Sequence, residues 1–448
     1  MASTSTRGII PTAALPGPQK NHAKAMKTDL LGYLEQIAPQ GDFLKLPIPL
    51  VPTYLINHPD LVQEVMVRQS RRFHKPFNVK YTANQIFGDN LFTSDGELWK
   101  ILRSVLQPGF STERLQDYSQ TMIDYTEQIM AGWQPGESVD LCAAMGEVTL
   151  RTSTRCFFGL DLYSSQAGDN LLRFIELFFQ RISGLPVPAW VPIPSNRELK
   201  RIIRDLNQFF LPIIEARRQS GEDHGDIMSM LIQAQAADKT GYITGQQVCN
   251  EVSNLFAAGY ELVAYSLAFT FYLISQHPAV EAKLLAEIDR VLATQPMSTE
   301  ALAQMPYLEQ VLQESMRLLP AAAITSRQAI MPVTIGDYTV PKNSMILIAP
   351  WTLHRRADIF PEPEKFDPER FSADRQTSHP IPNFSHLTFA AGPRACIGKA
   401  FAMMQMRINL ALILQRYRLI PAPDYEFQPV FQFNTRPRDG MPMVLQAR

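Results

Sequence analysis

The sequence predicts a mainly helical protein with a smaller β-rich lobe. Apolar residues recur at helical spacing over long stretches, and the largest predicted helices span 112–133, 141–158, 195–218 and 244–277. Short runs rich in β-branched and aromatic residues predict strands near the two ends of the chain, at 43–56, 333–348 and 427–446. Length alone would permit two or three domains, but large single-core enzymes also reach 448 residues.

The charge and the cysteine content limit the partners and the compartment. A formal net charge of −1 over 448 residues favours no nucleic-acid partner. The four cysteines are far apart in sequence and form no CxxC pair, which indicates a reducing compartment and argues against a disulfide framework or a zinc site. The chain opens without a long apolar run, so we expect a cytoplasmic protein with no membrane anchor.

The N-terminal part predicts a lead-in, two helices and two strands. Residues 1–20 are rich in Ser and Thr and predict a poorly ordered lead-in. The elements that follow are a helix at 29–37, strands at 43–51 and 53–56, and a helix at 59–69. Residues 71–90 show no clean period and predict a long loop, a kind of segment that is more often functional than accidental.

The next predicted helix begins after Ser94 or Asp95, either of which can cap it. Trp99 and Arg103 are four residues apart and therefore share one face of this helix. On these residues alone, a buried Trp beside a solvated Arg is the simpler interpretation, and a pair that reaches a common ligand is the alternative.

The middle of the chain predicts further helices around an apolar interruption. These helices are predicted at 112–133, 141–158, 170–182 and 195–218. Between the last two lies the run 185–192, which contains three prolines and is apolar rather than rich in Gly and Ser. We therefore expect a mobile apolar lid there rather than a domain linker.

A very long helix is predicted from Thr244 onwards, with Gln247 completing a capping box. Gly259 in its interior costs about 1 kcal/mol relative to Ala. Glu261 stands among apolar residues, where an unpaired buried carboxylate would be expensive. Two interpretations follow: a Gly that fills a gap beside an exposed Glu, or a helix groove at Ala258 and Gly259 that holds a ligand.

The C-terminal third predicts short helices and strands around one ion pair. The helices are predicted at 279–292, 299–304 and 307–319, and the strands at 333–335, 338–340, 344–348, 427–433 and 442–446. Glu314 and Arg317 are three residues apart on the third of these helices and meet on one face. An isolated pair of this kind is usually solvated and contributes little.

One cysteine stands in a loop suited to a thiolate. Gly392 and Gly398 flank Cys396 and let the backbone approach another group closely. A helix is predicted from Gly398 to Tyr417, so Cys396 would lie at its N-terminus, where free N–H groups and the macrodipole favour a thiolate. A buried structural cysteine is the alternative, but a thiolate in a dry, N–H-lined loop suits an axial ligand of haem iron.

The stretch F-x-x-G-x-R-x-C-x-G, from Phe389 to Gly398, resembles without a gap the haem-binding loop of the cytochrome P450 superfamily. The patterns W-x-x-x-R, A-G-x-E, E-x-x-R and D-P-E-R-F resemble four further motifs of that family in the same order. The resemblance as a whole covers the chain from about residue 40 to its end. The resemblance implies the cytochrome P450 fold over 21–448, a single haem-thiolate domain with haem b between the long central helix and the Cys-bearing helix.

The resemblance also implies roles for single residues. Cys396 would be the thiolate ligand of the iron, Phe389 would pack beside it, and Gly398 completes the loop pattern. The residues that would bind the haem propionates are Trp99, Arg103, Arg327 and Arg394. The residues that would form a buried scaffold under the cysteine loop are Glu314, Arg317 and Arg370. The catalytic groove on the central helix would consist of Ala258, Gly259, Glu261 and Leu262.

By resemblance, the protein is an O₂-dependent monooxygenase that hydroxylates or epoxidises a medium-to-large apolar molecule. Its electrons would come from a separate ferredoxin, or from a flavodoxin or reductase, and we expect a monomer. The predicted pocket walls are apolar residues of the long loop, the central helix and the later strands: Phe77, Phe87, Phe92, Phe256, Ala257, Ala322, Ile324, Phe431 and Phe433. A haem-based sensor or electron carrier is the alternative from another class, and the long Phe-bearing loop and the Pro-rich lid argue against it.

One departure from the family pattern bears on the chemistry. Leu262 stands where the family usually has Thr, whose hydroxyl normally helps to deliver protons to dioxygen. Tyr265 and Ser266 lie about 5 Å further along the helix, too far for a direct substitute. Three explanations stay open: a substrate hydroxyl supplies the protons, the enzyme runs non-standard chemistry, or it is a poorly coupled monooxygenase. The non-standard chemistry would be a peroxide-driven reaction, a rearrangement, or an engineered carbene or nitrene transfer.

Overall fold

A computed structural model describes residues 10–15, 22–183, 187–188 and 190–448. The described residues are mostly helical with small sheets, which confirms the predicted fold class. They form two compact units. The first unit comprises the described residues of Met1–Phe77 together with Gln313–Cys396 and Gln428–Arg438. The second comprises the described residues of Asn78–Leu312 together with Ile397–Phe427 and Asp439–Arg448.

The helices and strands are numbered in chain order. The helices are α1 (His22–Thr28), α2 (Leu30–Ile37), α3 (Pro59–Gln63), α4 (Phe77–Phe87), α5 (Gly96–Leu106), α6 (Thr112–Met130), α7 (Leu141–Phe158), α8 (Gln166–Ser183), α9 (Pro194–Ser220), α10 (Ile227–Ala237), α11 (Gly245–Gln276), α12 (Pro278–Leu292), α13 (Thr299–Ala303), α14 (Pro306–Leu318), α15 (Pro350–Leu353), α16 (Ala373–Ser378) and α17 (Lys399–Arg416). The strands are β1 (Phe43–Leu46), β2 (Thr53–Ile56), β3 (Phe73–His74), β4 (Ser138–Asp140), β5 (Thr325–Ala329), β6 (Val333–Ile335), β7 (Tyr338–Val340), β8 (Met345–Ile348), β9 (Tyr417–Pro421), β10 (Pro429–Gln432), β11 (Asn434–Pro437) and β12 (Pro442–Ala447).

The first unit is built on a five-stranded sheet with the order β1-β2-β8-β5-β3. The pair β2–β8 is parallel, with Thr53 opposite Met345, and the other pairs are antiparallel. Buried aliphatic residues of the sheet pack with residues of α3 and of the π-helical turn Glu64–Arg68 that follows it. Of the predicted lead-in, residues 10–15 reach this sheet, because the Ala13 N–H donates to Lys45 O at 2.9 Å. The rest of that lead-in lies outside the described residues.

The second unit is organised around α11, which packs along α7. Gly259 lies at this contact, because a Cβ there would be 3.2 Å from Ser153 Cβ and 3.5 Å from Phe157. A separate three-stranded sheet has the order β4-β12-β9. In the part of the chain that the structure describes, α11 is also the one helix long and apolar enough to cross a membrane. Half of its most apolar 18-residue stretch is buried inside the protein.

Several predicted boundaries are wrong for identifiable reasons. The expected strand 43–51 ends at Leu46, because the prolines at 47 and 49 cannot donate to a ladder. The expected helix 59–69 is α for five residues and then widens into the π-helical turn. The expected loop 71–90 contains β3 and α4. The buried face of α4 includes Thr82 and Ala83, so its apolar periodicity is weak.

The run 185–192, predicted to be an apolar lid, is described only in part. Residues 184–186 and 189 lie outside the described residues. Near the C-terminal end of the run, the buried amide of Asn196 donates to Pro188 O at 2.9 Å and to Val191 O at 2.6 Å, while Trp190 is exposed. The end of the run is therefore tied to the first turn of α9.

Candidate active site

The cysteine loop belongs to the first unit as far as Cys396 and is held by its own backbone. Gly392 has a φ of 70°, and a Cβ there would overlap Met66 O in the π-helical turn. Gly is therefore required at this position for both conformation and space. The loop closes through two backbone hydrogen bonds, from Ala395 N to Gly392 O at 3.0 Å and from Cys396 N to Phe389 O at 2.9 Å.

Cys396 differs from the other cysteines in its environment. Its side chain is exposed, whereas Cys156 and Cys249 are buried and Cys142 is partly buried. Burial raises the pKa of Cys249 to about 12 and raises the pKa values of Cys142 and Cys156 further, so these three remain thiols near neutral pH. Cys396 is three residues ahead of α17 in the chain, since that helix begins at Lys399.

The structure brings Glu314, Arg317 and Arg370 together in the core of the first unit. Arg317 donates from Nε to Glu314 Oε2 at 2.6 Å and from Nη2 to Oε1 at 2.8 Å, and Arg370 Nε donates to Oε1 at 3.2 Å. The side chains of Glu314 and Arg317 are fully buried. Arg317 also donates to the carbonyls of His354 and Lys365 at 2.9 and 3.1 Å. Every charge in this cluster is therefore paired and hydrogen-bonded, as buried charges require.

His354 joins this cluster to the segment before the cysteine loop, and the sequence analysis missed it. Its Nε2 accepts from Leu387 N at 2.8 Å, so the proton of the neutral ring is on Nδ1, which lies 3.2 Å from Arg317 O. Burial lowers the pKa of His354 well below its usual value, and the neighbouring His386 acts in the same direction. The helical and strand periods gave no sign of it, because His354 directly follows the four-residue helix α15.

The predicted propionate-binding residues occur in both units. In the second unit, Trp99 and Arg103 lie on α5 and are partly exposed. Asp95 occupies the cap position of α5 without capping it, since its carboxylate pairs with Lys80 Nζ at 3.0 Å. In the first unit, Arg394 in the cysteine loop and Arg327 on β5 are partly exposed.

Ala258 is the accessible point of the predicted groove on α11. Ala258 is exposed, whereas Phe256, two residues earlier, is fully buried. Glu261 and Leu262 are partly buried. Ser266 Oγ donates back to Leu262 O at 2.7 Å, so this hydroxyl is already engaged with the helix backbone. The missing side chain of Gly259 accommodates α7, as described above, which is a packing reason for this glycine.

The predicted pocket walls differ in exposure. Phe77 is largely exposed at the beginning of α4. Phe87 is buried edge-to-face against Phe174 and Phe178, with ring centroids 4.9 and 5.1 Å apart, and Phe256 is part of the core. The remaining predicted walls are partly buried: Phe92, Ala257, Ala322, Ile324, Phe431 and Phe433.

The chemistry of these donors fits a thiolate-ligated haem. An exposed cysteine ahead of a helix N-terminus can ligate iron, arginines can pair with propionates, and Ala258 offers a small apolar surface. The fold and these residue types match what a haem-thiolate protein requires. A family model for cytochrome P450 matches residues 22–441. The chain belongs to the cytochrome P450 family.

Two relatives support this assignment, and one solved structure shares the fold. The chain is 32% identical to cyclooctat-9-en-7-ol 5-monooxygenase of Streptomyces melanosporofaciens, over 92% of this chain and 90% of that protein. It is 27% identical to pentalenene oxygenase of Streptomyces avermitilis, over 95% and 94% of the two chains. Its fold matches the crystal structure of the cytochrome P450DA haem domain with a TM-score of 0.87 over 98% of both chains, at 24% identity. The protein is a haem-dependent monooxygenase that acts on an apolar small molecule with O₂ and electrons from redox partners.

Proposed function

We propose that the enzyme hydroxylates or epoxidises a cyclic terpenoid. The observation that carries the proposal is the 32% identity, over nearly the whole chain, to a relative named as a cyclooctat-9-en-7-ol 5-monooxygenase. The apolar groove residues Ala258 and Leu262 support it, because they offer a hydrocarbon skeleton no competing hydrogen bond. When bound, the haem supplies dioxygen activation, and the protein supplies binding, orientation and exclusion of water.

A binding titration tests this proposal. We expect cyclic terpenes and their monoalcohols to shift the Soret band of the ferric protein as they displace water from the pocket. Polar compounds of equal volume should cause no shift. A protein that responds to neither group, or equally to both, would contradict the proposed substrate class.

Leu262 bears on the source of protons. We propose that a substrate hydroxyl supplies them, because the 32% identical relative is named for an alcohol substrate and Ser266 is bonded to Leu262 O. Leu262→Thr should then raise product formed per electron and lower peroxide release on substrates without a hydroxyl. Proton delivery of this type contributes about a hundredfold or more, so several-fold better coupling is expected. Coupling is measured as product and peroxide per NAD(P)H consumed.

Leu262→Val is the matched control for that variant. Val has nearly the shape of Thr but no hydroxyl, so an equal gain from Val would assign the effect to pocket volume instead of proton transfer. Tight coupling of the unaltered enzyme on a substrate without hydroxyls would contradict the proton-delivery argument. An O₂-independent activity that Leu262→Thr lowers would favour the non-standard chemistry.

We propose that an acidic ferredoxin or flavodoxin delivers the electrons, because Lys399 places exposed positive charge at the beginning of α17. Lys100 on α5 is also exposed, but Glu97 pairs with it at 2.5 Å and offsets its charge. Arg407, which also lies on α17, is mostly buried, pairs with Glu309 at 3.3 Å and donates to Leu302 O. We therefore expect it to stabilise α17 and not to contact a partner. We also propose that the protein is cytoplasmic and monomeric, and that residues 21–448 form one functional domain.

Reduction by an acidic donor should slow as salt is added, because complementary charge acts mainly on the association rate. Stopped-flow reduction at 20–500 mM NaCl should show this fall, and Lys399→Gln should reduce both the low-salt rate and its salt dependence. Lys239→Gln is the control, since Lys239 is exposed on the turn before α11. A salt-independent rate with every acidic donor would contradict this docking surface.

A further inference from the structure

Three side chains in the first turns of α11 hold the backbone of residues 88–94, which we call segment 88–94. Gln247 Nε2 donates to Asp89 O at 2.7 Å, and Asn250 Nδ2 donates to the same carbonyl at 3.1 Å. Glu251 Oε1 accepts from Leu91 N at 2.7 Å. These side chains lie on one face of the helix. The segment is thus attached to α11 through main-chain atoms, whatever its own side chains are.

Segment 88–94 is also bonded within itself. Asn90 Oδ1 accepts from Phe92 N at 2.8 Å and from Thr93 N at 3.0 Å, and Thr93 Oγ1 donates to Gly88 O at 2.9 Å. Gly88 has a φ of 63°, and a Cβ there would overlap Asn250 Nδ2. The segment is therefore a closed turn that is held against α11.

Glu251 is the central member of this attachment. Its side chain is fully buried, and its other donors are the amides of Asn254 at 3.3 Å and Gln247 at 3.4 Å. Burial raises the pKa of Glu251 to about 8, and these hydrogen bonds offset only part of the effect. A fully buried carboxyl group is costly, and its short bond to Leu91 N indicates that fixing the segment is its role.

Along the chain, segment 88–94 lies between a predicted pocket wall and a predicted propionate-binding residue. Phe87 precedes it, Phe92 lies within it, and α5 with Trp99 begins two residues after it ends. On α11, Glu251 is seven residues before Ala258, or about 10 Å along the axis. One rigid helix therefore carries both the predicted groove and the attachment of segment 88–94.

We propose that Glu251, assisted by Gln247 and Asn250, is a positioning residue that determines substrate size selectivity. It fixes segment 88–94 at one height along α11 and so fixes Phe92 relative to the groove at Ala258 and Leu262. The inference deepens the proposed function and rests on the groove being the substrate site. It does not depend on the substrate being a terpenoid.

The first measurement is hydrogen exchange of the haem-bound protein without substrate. Glu251→Leu removes the acceptor of the Leu91 N–H. The free-energy cost of leaving this donor unsatisfied corresponds to hydrogen exchange at the Leu91 amide that is about 5- to 150-fold faster. Glu251→Gln keeps an acceptor oxygen and should stay within about twofold of the unaltered protein. Thr270→Val is the control, a buried substitution of similar shape on the same helix. Unchanged exchange in segment 88–94, or equal acceleration along all of α11, would overturn the proposal.

The second measurement reads pocket size with 1-alkylimidazoles of increasing chain length, which bind haem iron directly. In the unaltered protein and in Glu251→Gln, affinity should peak at one chain length. In Glu251→Leu the preference for one chain length should weaken. The ratio of the Kd values for the preferred ligand and for longer ligands should change by at least threefold. An unchanged profile despite faster exchange would also overturn the proposal. Should Glu251→Leu fail to fold, the partly exposed Asn250→Ala removes one bond to Asp89 O and is expected to give a smaller change of the same kind.

Discussion

Replacing Cys396 by Ser should abolish the red-shifted Soret band of the ferrous carbon monoxide complex. A thiolate ligand causes that shift, and Cys396 is the exposed cysteine, in a loop closed by backbone bonds ahead of α17. A serine hydroxyl stays protonated near neutral pH and does not replace a thiolate. The measurement is the visible spectrum of the reduced protein with carbon monoxide minus that of the reduced protein without it, normalised to haem content. A thiolate-type spectrum in this variant would contradict the ligand assignment.

The matched control replaces Cys142, Cys156 and Cys249 by Ala together. Burial keeps all three as thiols, with the pKa of Cys249 raised to about 12. We expect a normal spectrum and normal haem content, with a lower melting temperature because buried groups are lost at two of the positions. Loss of the band in this triple variant would mean that another cysteine matters for the ligand.

Arg317→Leu should prevent stable haem binding by destabilising the first unit. The change leaves the fully buried carboxylate of Glu314 with Arg370 and the Asp367 N–H as its remaining partners, and it removes donors from two backbone carbonyls. Breaking a buried ion pair by removing one partner costs about 3–5 kcal/mol. That is a large part of the stability of a typical domain. The measurements are urea unfolding and haem content after purification.

Two further variants test whether the loss of stability comes from the buried cluster. Arg375→Leu removes a largely exposed partner of Asp367, 3.5 Å away, and should change stability by less than about 1 kcal/mol. Arg317→Lys keeps the charge but not the planar fork that serves Glu314 and the carbonyls, so we expect an intermediate loss. Equal stability of Arg317→Leu and Arg375→Leu would show that the cluster is not a scaffold.

The sequence predicted α11 well but not the roles of its residues. Thr244 caps α11 through Gln247 N at 3.1 Å as expected, but the Gln247 side chain does not complete the capping box and reaches Asp89 instead. Glu261 attracted attention as a carboxylate among apolar residues, yet the fully buried acidic side chain on α11 is Glu251. Glu251 accepts a hydrogen bond from Leu91 N, 160 residues earlier in the chain, and a contact over that separation leaves no local sequence signal.

The sequence likewise predicted some parts of the candidate site and not others. Spacing predicted that Glu314 and Arg317 meet on one helix face, and the family resemblance implied that Arg370 joins them; the structure contains both ion pairs. Spacing could not predict the link through His354, whose partners Arg317 and Leu387 are more than 30 residues away on either side. Nor could spacing reveal that Gly259 accommodates α7, since helix periodicity does not identify the opposing helix.

The parallel pairing of β2 with β8 has a consequence for synthesis on the ribosome. Thr53 pairs with Met345, which the ribosome adds almost 300 residues later, so β2 cannot pair with β8 until then. At about 5–20 residues per second the delay is roughly 15–60 s. During that time the four buried residues of β2 have no neighbour on this side. The nascent chain therefore carries an unpaired apolar strand edge for most of its elongation, a state in which a ribosome-associated chaperone would protect it from pairing with other chains.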